Sequence, residues 1–210
     1  MNRAELKSLA KAQIKGKIGI LFLITLIIAV VSALATSILS MIPVIGSIAA
    51  AIIVTPAFSL SLVRVYLSLA QGAQPEVKDA FTGFDDFWSA FKVTFLVGLY
   101  TFLWSLLFVI PGIVKSYAYS MSLYILAENK GKSASECIKE SMEMTDGHKM
   151  DLFVLSLSFI GWILLGSITL GIAYIWILPY MQATYINAYN SLKPAVEAPV
   201  IEEPTPEIAE

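Results

Sequence analysis

Three long stretches of the chain contain no charged residue. They run from 18 to 63, from 93 to 114 and from 152 to 192. The hydrocarbon core of a bilayer is about 30 Å thick, and a helix needs roughly 20 apolar residues to cross it. The first and third stretches are therefore long enough for a helical hairpin, and the second for one span. Their apolar residues are continuous rather than alternating, which predicts helices and excludes a membrane β-barrel.

A polar, helix-prone segment leads into each hairpin, so the chain divides into three units. The first unit opens with a basic amphipathic helix over 2–17. The second opens with five aromatic residues at helical spacing, which predict one aromatic stripe: Phe81, Phe84, Phe87, Trp88 and Phe91. In the third, Ser133 and Glu136 have the spacing of a capping box, and Gly147 suits a helix end. The likeness of the units indicates either a parallel threefold repeat or a chance similarity between apolar helices.

The units together predict an all-α membrane protein, a six-transmembrane-helix bundle built from three amphipathic-helix-plus-hairpin units. The predicted spans are 18–40, 47–70, 93–110, 113–127, 152–167 and 172–190. The predicted turns within the hairpins are 41–46, Pro111-Gly112 and 168–171. The integral membrane domain covers 1–192, and 193–210 is an acidic, Pro-rich tail predicted to be disordered and cytoplasmic. A cleaved signal peptide is disfavoured, because the apolar stretch continues past its candidate site at 33–35.

The basic residues predict the orientation. Short cytoplasmic loops are rich in Lys and Arg, and 12 of the 14 such residues fall on one side of the predicted spans. These are Arg3, Lys7, Lys11, Lys15, Lys17, Lys78, Lys92, Lys130, Lys132, Lys139, Lys149 and Lys193. Lys115 alone lies near the other side, and Arg64 lies within a span. Both termini are therefore predicted to be cytoplasmic, in the cytoplasmic (plasma) membrane of a bacterium.

Composition agrees with a membrane protein and narrows its chemistry. The chain is 57% hydrophobic and 14% charged, whereas soluble domains carry about 25% charge. A net charge of −2 predicts no nucleic-acid partner. One cysteine and one histidine exclude an internal disulfide and a histidine metal cage. No phosphate-binding or nucleophile motif is present, so we expect no catalytic residues, no cofactor, no metal and no enzymatic activity.

Two ionisable residues within the apolar stretches are candidates for function, because buried charge in a membrane is costly. Arg64 either extends to the headgroups or pairs with a carboxylate such as Glu128 or Asp151, or with a lipid phosphate. Lys115 follows the Pro111-Gly112 turn, and only 12 uncharged residues follow it. It therefore either extends outward or lies within the membrane beside a broken helix.

Hydroxyl and amide side chains are concentrated in the fourth and sixth predicted spans. Such groups in membrane helices commonly bond neighbouring helices together. The functional alternative is a polar pocket between these two spans. The predicted in-membrane polar site comprises Arg64, Lys115, Tyr119, Ser120, Tyr180 and Tyr185.

Several blocks of sequence have a familiar order along the chain. They are Arg3-Ala4-Glu5-Leu6-Lys7, Ile110-Pro111-Gly112-Ile113-Val114-Lys115, Gly147-His148-Lys149 and Leu157-Ser158-Phe159-Ile160-Gly161-Trp162. In these blocks the chain resembles the bacterial integral membrane family labelled domain of unknown function 975, over nearly all of its length up to Leu192. The resemblance implies a multi-pass membrane protein of unknown activity and supplies no site residues. The layout is more loosely similar to the membrane domain attached to some glycerophosphodiester phosphodiesterases, whose phosphodiesterase domain has no counterpart in these 210 residues.

Two functions remain open from the sequence. In the first, the lipid-embedded bundle binds or transports a lipid or another small amphiphile at the polar site. In the second, it is a structural or regulatory module that docks a cytoplasmic or membrane-protein partner through its interfacial helices and acidic tail. An intramembrane enzyme is disfavoured, because no nucleophile–base pair or metal set is visible.

Overall fold

The computed structural model describes residues 2–39 and 45–193. Helices and turns account for all of this part, which contains no β-strand, so the predicted all-α class is confirmed. The helices are α1 Arg3–Ile14, α2 Ile18–Leu39, α3 Ile45–Ala70, a 3-10 helix Val77–Phe84, α4 Phe87–Leu107, α5 Val109–Tyr119, α6 Ser122–Glu128, α7 Ala134–Met144, α8 Lys149–Leu157, α9 Ile160–Ile168 and α10 Tyr174–Leu192. The turn predicted at 41–46 lies mostly outside the described residues, as does the predicted tail beyond Lys193.

Three segments are long and apolar enough to cross a membrane. They are Ile18–Ile38, Phe87–Leu107 and Lys149–Ile168, of 21, 21 and 20 residues. At 1.5 Å per residue each measures about 30 Å, which matches the hydrocarbon core. Their outward faces carry large apolar side chains, such as Leu106 and Ile168, which are 74% and 78% exposed. An exposed apolar surface of this kind is typical of contact with lipid, so the structure indicates a membrane protein.

The hydrophobic core lies along the second helix of each unit. These helices are α3, the α5–α6 pair and α10, and α3 contacts both α6 and α10. Large side chains on all three are almost completely buried, including Tyr66, Ile125 and Tyr189. The outer helices α2, α4 and α8–α9 surround this centre.

The polar helices interlock the three units in a cycle. The 3-10 helix of unit two packs on α3 of unit one, α7 of unit three packs on α6 of unit two, and α1 of unit one packs on α10 of unit three. Each polar helix is thus held by the unit before it. The cycle closes where α1 contacts α10.

Backbone or polar side-chain hydrogen bonds join the partners at each of these crossings. The Gly83 amide donates to Ser61 Oγ at 2.8 Å. The Met121 amide donates to Ser141 Oγ at 3.1 Å, and Ser141 Oγ donates to the Ala118 carbonyl at 2.8 Å. At the third crossing Asn187 Nδ2 donates to the Leu6 carbonyl at 3.3 Å. Polar contacts therefore fix the position of each polar helix on its neighbour.

One aromatic position recurs in all three inner helices. Phe58, Tyr119 and Tyr180 follow one another at intervals of 61 residues, and they are only 4%, 5% and 7% exposed. The equal spacing and similar burial are compatible with the predicted parallel repeat, which stays a prediction.

The second hairpin turns at a different residue from the one predicted. Phe108 is extended, with φ −157° and ψ 143°, and it separates α4 from α5. Pro111 lies in the first turn of α5, where a proline is tolerated, but its ring would clash with the Leu107 carbonyl in a continuous helix. The break therefore precedes Pro111-Gly112 by a few residues. As a result α4 ends before 110, and α5 begins before 113.

The other helix boundaries also differ from the predicted spans. The fourth is longer than predicted and divides at Ser120 and Met121 into α5 and α6. The fifth divides at Ser158 and Phe159 into α8 and α9. A break within a membrane helix exposes backbone groups that need other partners.

The predicted aromatic stripe of unit two is not on one helix. Phe81 and Phe84 lie in the 3-10 helix, and their rings contact Phe58 at centroid distances of 6.1 and 5.1 Å. Phe87 begins α4 and continues a separate aromatic row along that helix. The predicted capping box is confirmed, because Ser133 Oγ accepts from the Glu136 amide and the Glu136 carboxylate accepts from the Ser133 amide.

The crossing at Gly83 makes the interlocking testable. A methyl group there would lie 1.9 Å from the Ala57 carbonyl oxygen. Overpacking of this kind costs about 1–3 kcal/mol, so we expect Gly83→Ala to lower the melting temperature by roughly 5 °C or more. Gly98→Ala on α4 is the matched control, because no atom lies within 4 Å of its added methyl group. Equal melting temperatures for the two variants in detergent would contradict this packing.

Candidate functional site

A cavity between units two and three is lined mostly by side chains that carry a hydroxyl or an amide group. Its volume is about 330 Å³. The lining residues are Tyr117, Ser120, Met121 and Tyr124 from α5–α6, Leu152 and Ser156 from α8, and Gln182 and Tyr185 from α10. The cavity adjoins the break between α5 and α6, where Ser120 Oγ donates to the Tyr117 carbonyl at 2.8 Å.

Only some of the lining groups are satisfied by the protein. Ser156 and Tyr185 join their hydroxyls across the cavity at 3.0 Å, and Ser156 also donates to the Leu152 carbonyl. The hydroxyls of Tyr117 and Tyr124 and the Gln182 amide make no hydrogen bond to any described residue. No charged side chain lines the cavity. Its chemistry is therefore that of an uncharged hydrogen-bonding surface.

A separate apolar groove shares one lining residue, Tyr117, with this cavity. Its volume is about 390 Å³ and its lining includes Ile110, Ile113, Val114, Phe153 and Met150. Tyr117 lines both spaces, and its ring meets that of Phe153 edge-on at 5.9 Å. Lys149 also lines the groove, but its ammonium donates to Asp146 at 2.8 Å. The polar cavity and the apolar groove thus lie beside the same tyrosine ring.

Two of the six predicted site residues, Ser120 and Tyr185, line the cavity. Tyr119 instead packs against Tyr100. Tyr180 contacts the ring of Phe159 at 5.5 Å. These two tyrosines occupy packing positions in the interior rather than positions around the cavity.

Arg64 has a different partner from those predicted. It forms a salt bridge with Asp86 and donates to the Thr82 carbonyl at 2.5 Å. Neither Glu128 nor Asp151 is its partner. The 3-10 helix packs on α3, and this brings Thr82 of that helix and Asp86, the residue just before α4, to Arg64. Arg64 therefore anchors the polar segment of unit two.

Lys115 lies on α5 within the hairpin formed with α4. Its ammonium lies over the ring of Trp104, 5.0 Å from the centroid. A cation held on an aromatic face is stabilised by the quadrupole of the ring. Lys115 does not line the cavity with Ser120 and Tyr185, so its role in this structure is to join the two helices of its hairpin.

Four hydrogen-bonding residues of the cavity were absent from the predicted site: Tyr117, Tyr124, Ser156 and Gln182. Helical spacing is the signal for two of them, because Tyr117, Ser120 and Tyr124 recur at i, i+3 and i+7 on one face. Tyr119 falls on another face. Ser156 belongs to a different unit, and no local pattern links it to α5.

Glu128 instead helps to join α6 to α10 below the cavity. Its carboxylate accepts from Tyr189 Oη at 2.6 Å and from Lys193 Nζ at 2.5 Å. The Tyr189 ring also contacts that of Tyr124, which lines the cavity. These contacts connect the cavity wall to the C-terminal ends of α6 and α10, which are predicted to face the cytoplasm.

Comparison with known proteins gives one family. The sequence profile described as "Protein of unknown function (DUF975)" matches residues 1–115 and 106–195. The chain belongs to this family. No curated protein and no solved structure matches it.

Membership of the DUF975 family confirms the resemblance seen in the sequence, but the family's description assigns no activity. The looser likeness to the membrane domain of glycerophosphodiester phosphodiesterases stays a prediction. The roles of individual residues in this DUF975 protein are therefore assigned from their positions and contacts.

The single cysteine, Cys137, is fully buried on α7, and burial raises the pKa of its thiol to about 11. A thiol of this kind is not a reactive nucleophile at neutral pH.

The Arg64–Asp86 pair gives a quantitative prediction. The side chains are 13% and 27% exposed, so we expect a double-mutant cycle with Arg64→Gln and Asp86→Asn to give a coupling free energy of about 2 kcal/mol. The measurement is the free energy of unfolding in mixed detergent micelles. The control pair Lys78 and Glu76 is 74% and 60% exposed and should couple by less than about 0.5 kcal/mol. Equal coupling in the two cycles would exclude an anchoring role for Arg64.

Proposed function

We propose that this DUF975 protein is a multi-pass protein of the bacterial cytoplasmic membrane, with six spans and both termini in the cytoplasm. The three apolar segments near 30 Å in length support the first span of each unit. In each unit a second helix or helix pair of 19 to 26 residues returns along the core. The concentration of basic residues on one side supports the orientation.

We propose further that the protein binds a small amphiphile in the cavity between α5–α6, α8 and α10. The observation that carries this proposal is the meeting of the uncharged polar cavity with the apolar groove at Tyr117. A ligand that occupies both spaces needs a hydrogen-bonding head and an apolar tail. Ligand sites are commonly apolar spaces with a few polar groups that fix orientation.

The lining also restricts the head group. No charged side chain of the cavity is available to compensate a phosphate or an ammonium group, and an unpaired charge in such a site is costly. Hydroxyl and carbonyl groups fit better, because Tyr117, Tyr124 and Gln182 retain hydrogen-bonding capacity. The proposed ligand is therefore a neutral amphiphile, such as a glycerol ester with one acyl chain.

Binding without catalysis is the function proposed. The cavity offers tyrosine and serine hydroxyls and one amide, but no base, carboxylate or thiol is among its lining residues. A serine or tyrosine hydroxyl needs an adjacent base to act as a nucleophile, and no histidine, lysine or carboxylate is among these lining residues. Docking of a partner protein, through the interfacial helices and the acidic tail, has no comparable geometric support.

The binding site is testable with a photoactivatable monoacylglycerol that carries a diazirine in its chain. Ser120→Leu puts an apolar side chain in the cavity, and we expect it to reduce labelling by about tenfold or more. Tyr185→Phe removes one hydroxyl, and the loss of one hydrogen bond predicts about a fivefold reduction. Labelled peptides should map to the groove near Ile113 or Phe153.

Ser116→Leu is the control for this experiment. Ser116 lies on α5 one turn before Ser120 and is outside the cavity lining. It should label like the natural sequence. Unchanged labelling of Ser120→Leu, or labels confined to the outer faces of α2 and α4, would refute the cavity site.

The topology has its own test with single cysteines in a Cys137→Ala background. Leu170 lies in the turn between α9 and α10 and is 94% exposed, whereas Ser135 is exposed on α7. In intact spheroplasts a membrane-impermeant maleimide should label Leu170→Cys and leave Ser135→Cys unlabelled until the cells are broken. The reverse pattern would show the opposite orientation, and equal labelling would contradict the six spans.

A further inference from the structure

A row of unpaired positive charges follows one side of α1. Arg3, Lys7 and Lys11 recur at intervals of four residues and so share one helix face. None of them forms an ion pair with a described residue. Glu5 is the one acidic residue of α1 and lies away from this face. The face borders the buried side of the helix, so its charges stand close to the apolar bundle.

Two of these lysines are held against the aromatic interior. The ammonium of Lys7 lies 4.6 Å from the ring centroid of Phe159, and that of Lys11 lies 5.7 Å from the ring centroid of Tyr180. Burial lowers the pKa of Lys7, and so do the positive charges of Lys11 and Arg3. The aromatic rings fix the two ammonium groups in place but do not neutralise them. The pair thus presents two positioned cations without an anion.

An apolar cleft opens beside these cations. It has a volume of about 170 Å³ and is lined by Lys11, Ile14, Trp162, Trp176, Ile177 and Tyr180. Trp162 and Trp176 are 41% and 55% exposed. Each ring therefore presents part of its apolar surface to a molecule in the cleft. The neighbouring surface of α9 is also apolar and exposed, notably at Ile160 and Leu164.

We infer that Lys7 and Lys11, with the Trp162–Trp176 cleft, bind an anionic phospholipid of the leaflet that faces the N-terminus. The phosphate compensates the two ammonium groups, and the upper part of an acyl chain occupies the cleft. A soluble phosphate would satisfy the lysines but leave the cleft exposed, so the adjacent apolar surface favours a lipid. We name this surface the α1 lipid site.

The α1 lipid site differs from the cavity in place and in chemistry. It is lined by α1, α9 and the first half of α10, and it carries positive charge. The cavity is lined by α5–α6, α8 and the middle of α10 and is uncharged. The inference rests on the membrane insertion proposed above, but it does not depend on a ligand in the cavity.

Tryptophan quenching by brominated lipid measures occupancy directly. Trp88→Phe and Trp104→Phe leave Trp162 and Trp176 as the reporters. The protein is placed in nanodiscs of ordinary phosphatidylcholine. A small fraction of the lipid is replaced by a lipid with brominated chains, which is phosphatidylglycerol in one series and phosphatidylcholine in the other. We expect phosphatidylglycerol to quench at a much lower fraction than phosphatidylcholine. Lys7→Gln with Lys11→Gln should reduce this preference about thirtyfold, because each lysine near an anionic surface contributes about fivefold.

Matched variants separate the site from general charge. Lys78→Gln with Lys139→Gln removes the same charge from two exposed lysines, 74% and 76% exposed, and should keep the preference. Lys7→Arg with Lys11→Arg should also keep the preference for phosphatidylglycerol, because the positive charge is retained. This variant shows whether a change of side chain at the two positions is harmful by itself. Melting temperatures and monoacylglycerol labelling of the cavity should be unchanged in the glutamine variant, so that failure of this site and failure of the cavity are distinguishable.

Three results would overturn the α1 lipid site. The first is equal quenching by the two brominated lipids in the protein that retains Lys7 and Lys11. The second is an equal loss of preference in the Lys78 and Lys139 control, which would assign the effect to total charge. The third is loss of phosphatidylglycerol quenching in millimolar inorganic phosphate at constant ionic strength, which would assign the lysines to a soluble anion.

Discussion

The fold depends on one repeated interaction, the packing of each polar helix on the inner helix of the preceding unit. Apolar helices alone have little to select their neighbours in lipid, because hydrocarbon solvates them as well as other helices do. Close backbone approach and polar contacts supply that selection here. Gly83 brings the 3-10 helix onto α3, Ser141 fixes α7 on α5–α6, and Asn187 holds α1 on α10. The cycle brings α1 and α10 together and fixes three interfaces.

The three interfaces are similar in layout but differ in what fills them. Between units one and two, Phe58 meets Phe81 and Phe84. Between units three and one, Lys7 and Lys11 of α1 lie on the rings of Phe159 and Tyr180, and the remaining cleft is about 170 Å³. Between units two and three, the broken helix α5–α6 turns hydroxyl groups toward α8 and α10, and an uncharged space of about 330 Å³ remains.

The sequence was sufficient for the helical class, the three long apolar segments and the concentration of polar groups in α5–α6 and α10. It was insufficient where partners come from distant segments. The Asp86 partner of Arg64 depends on how the 3-10 helix folds back on α3, and Ser156 joins the cavity only through packing between units. The break at Phe108 follows from the clash that Pro111 would make with Leu107. Proline geometry could therefore have predicted the break from the sequence. In the same way, helical spacing could have predicted that Tyr117 and Tyr124 share a face with Ser120.

The most direct test of the central claim is an experimental structure of the protein in nanodiscs made from its native membrane lipids. The account predicts elongated non-protein density between α5–α6, α8 and α10. Its polar end should lie near Ser120 and Tyr185, and its tail should follow the groove beside Ile113 and Phe153. A cavity closed by direct contact of α8 with α5–α6, or one that is open but without such density, would contradict a binding function at this site.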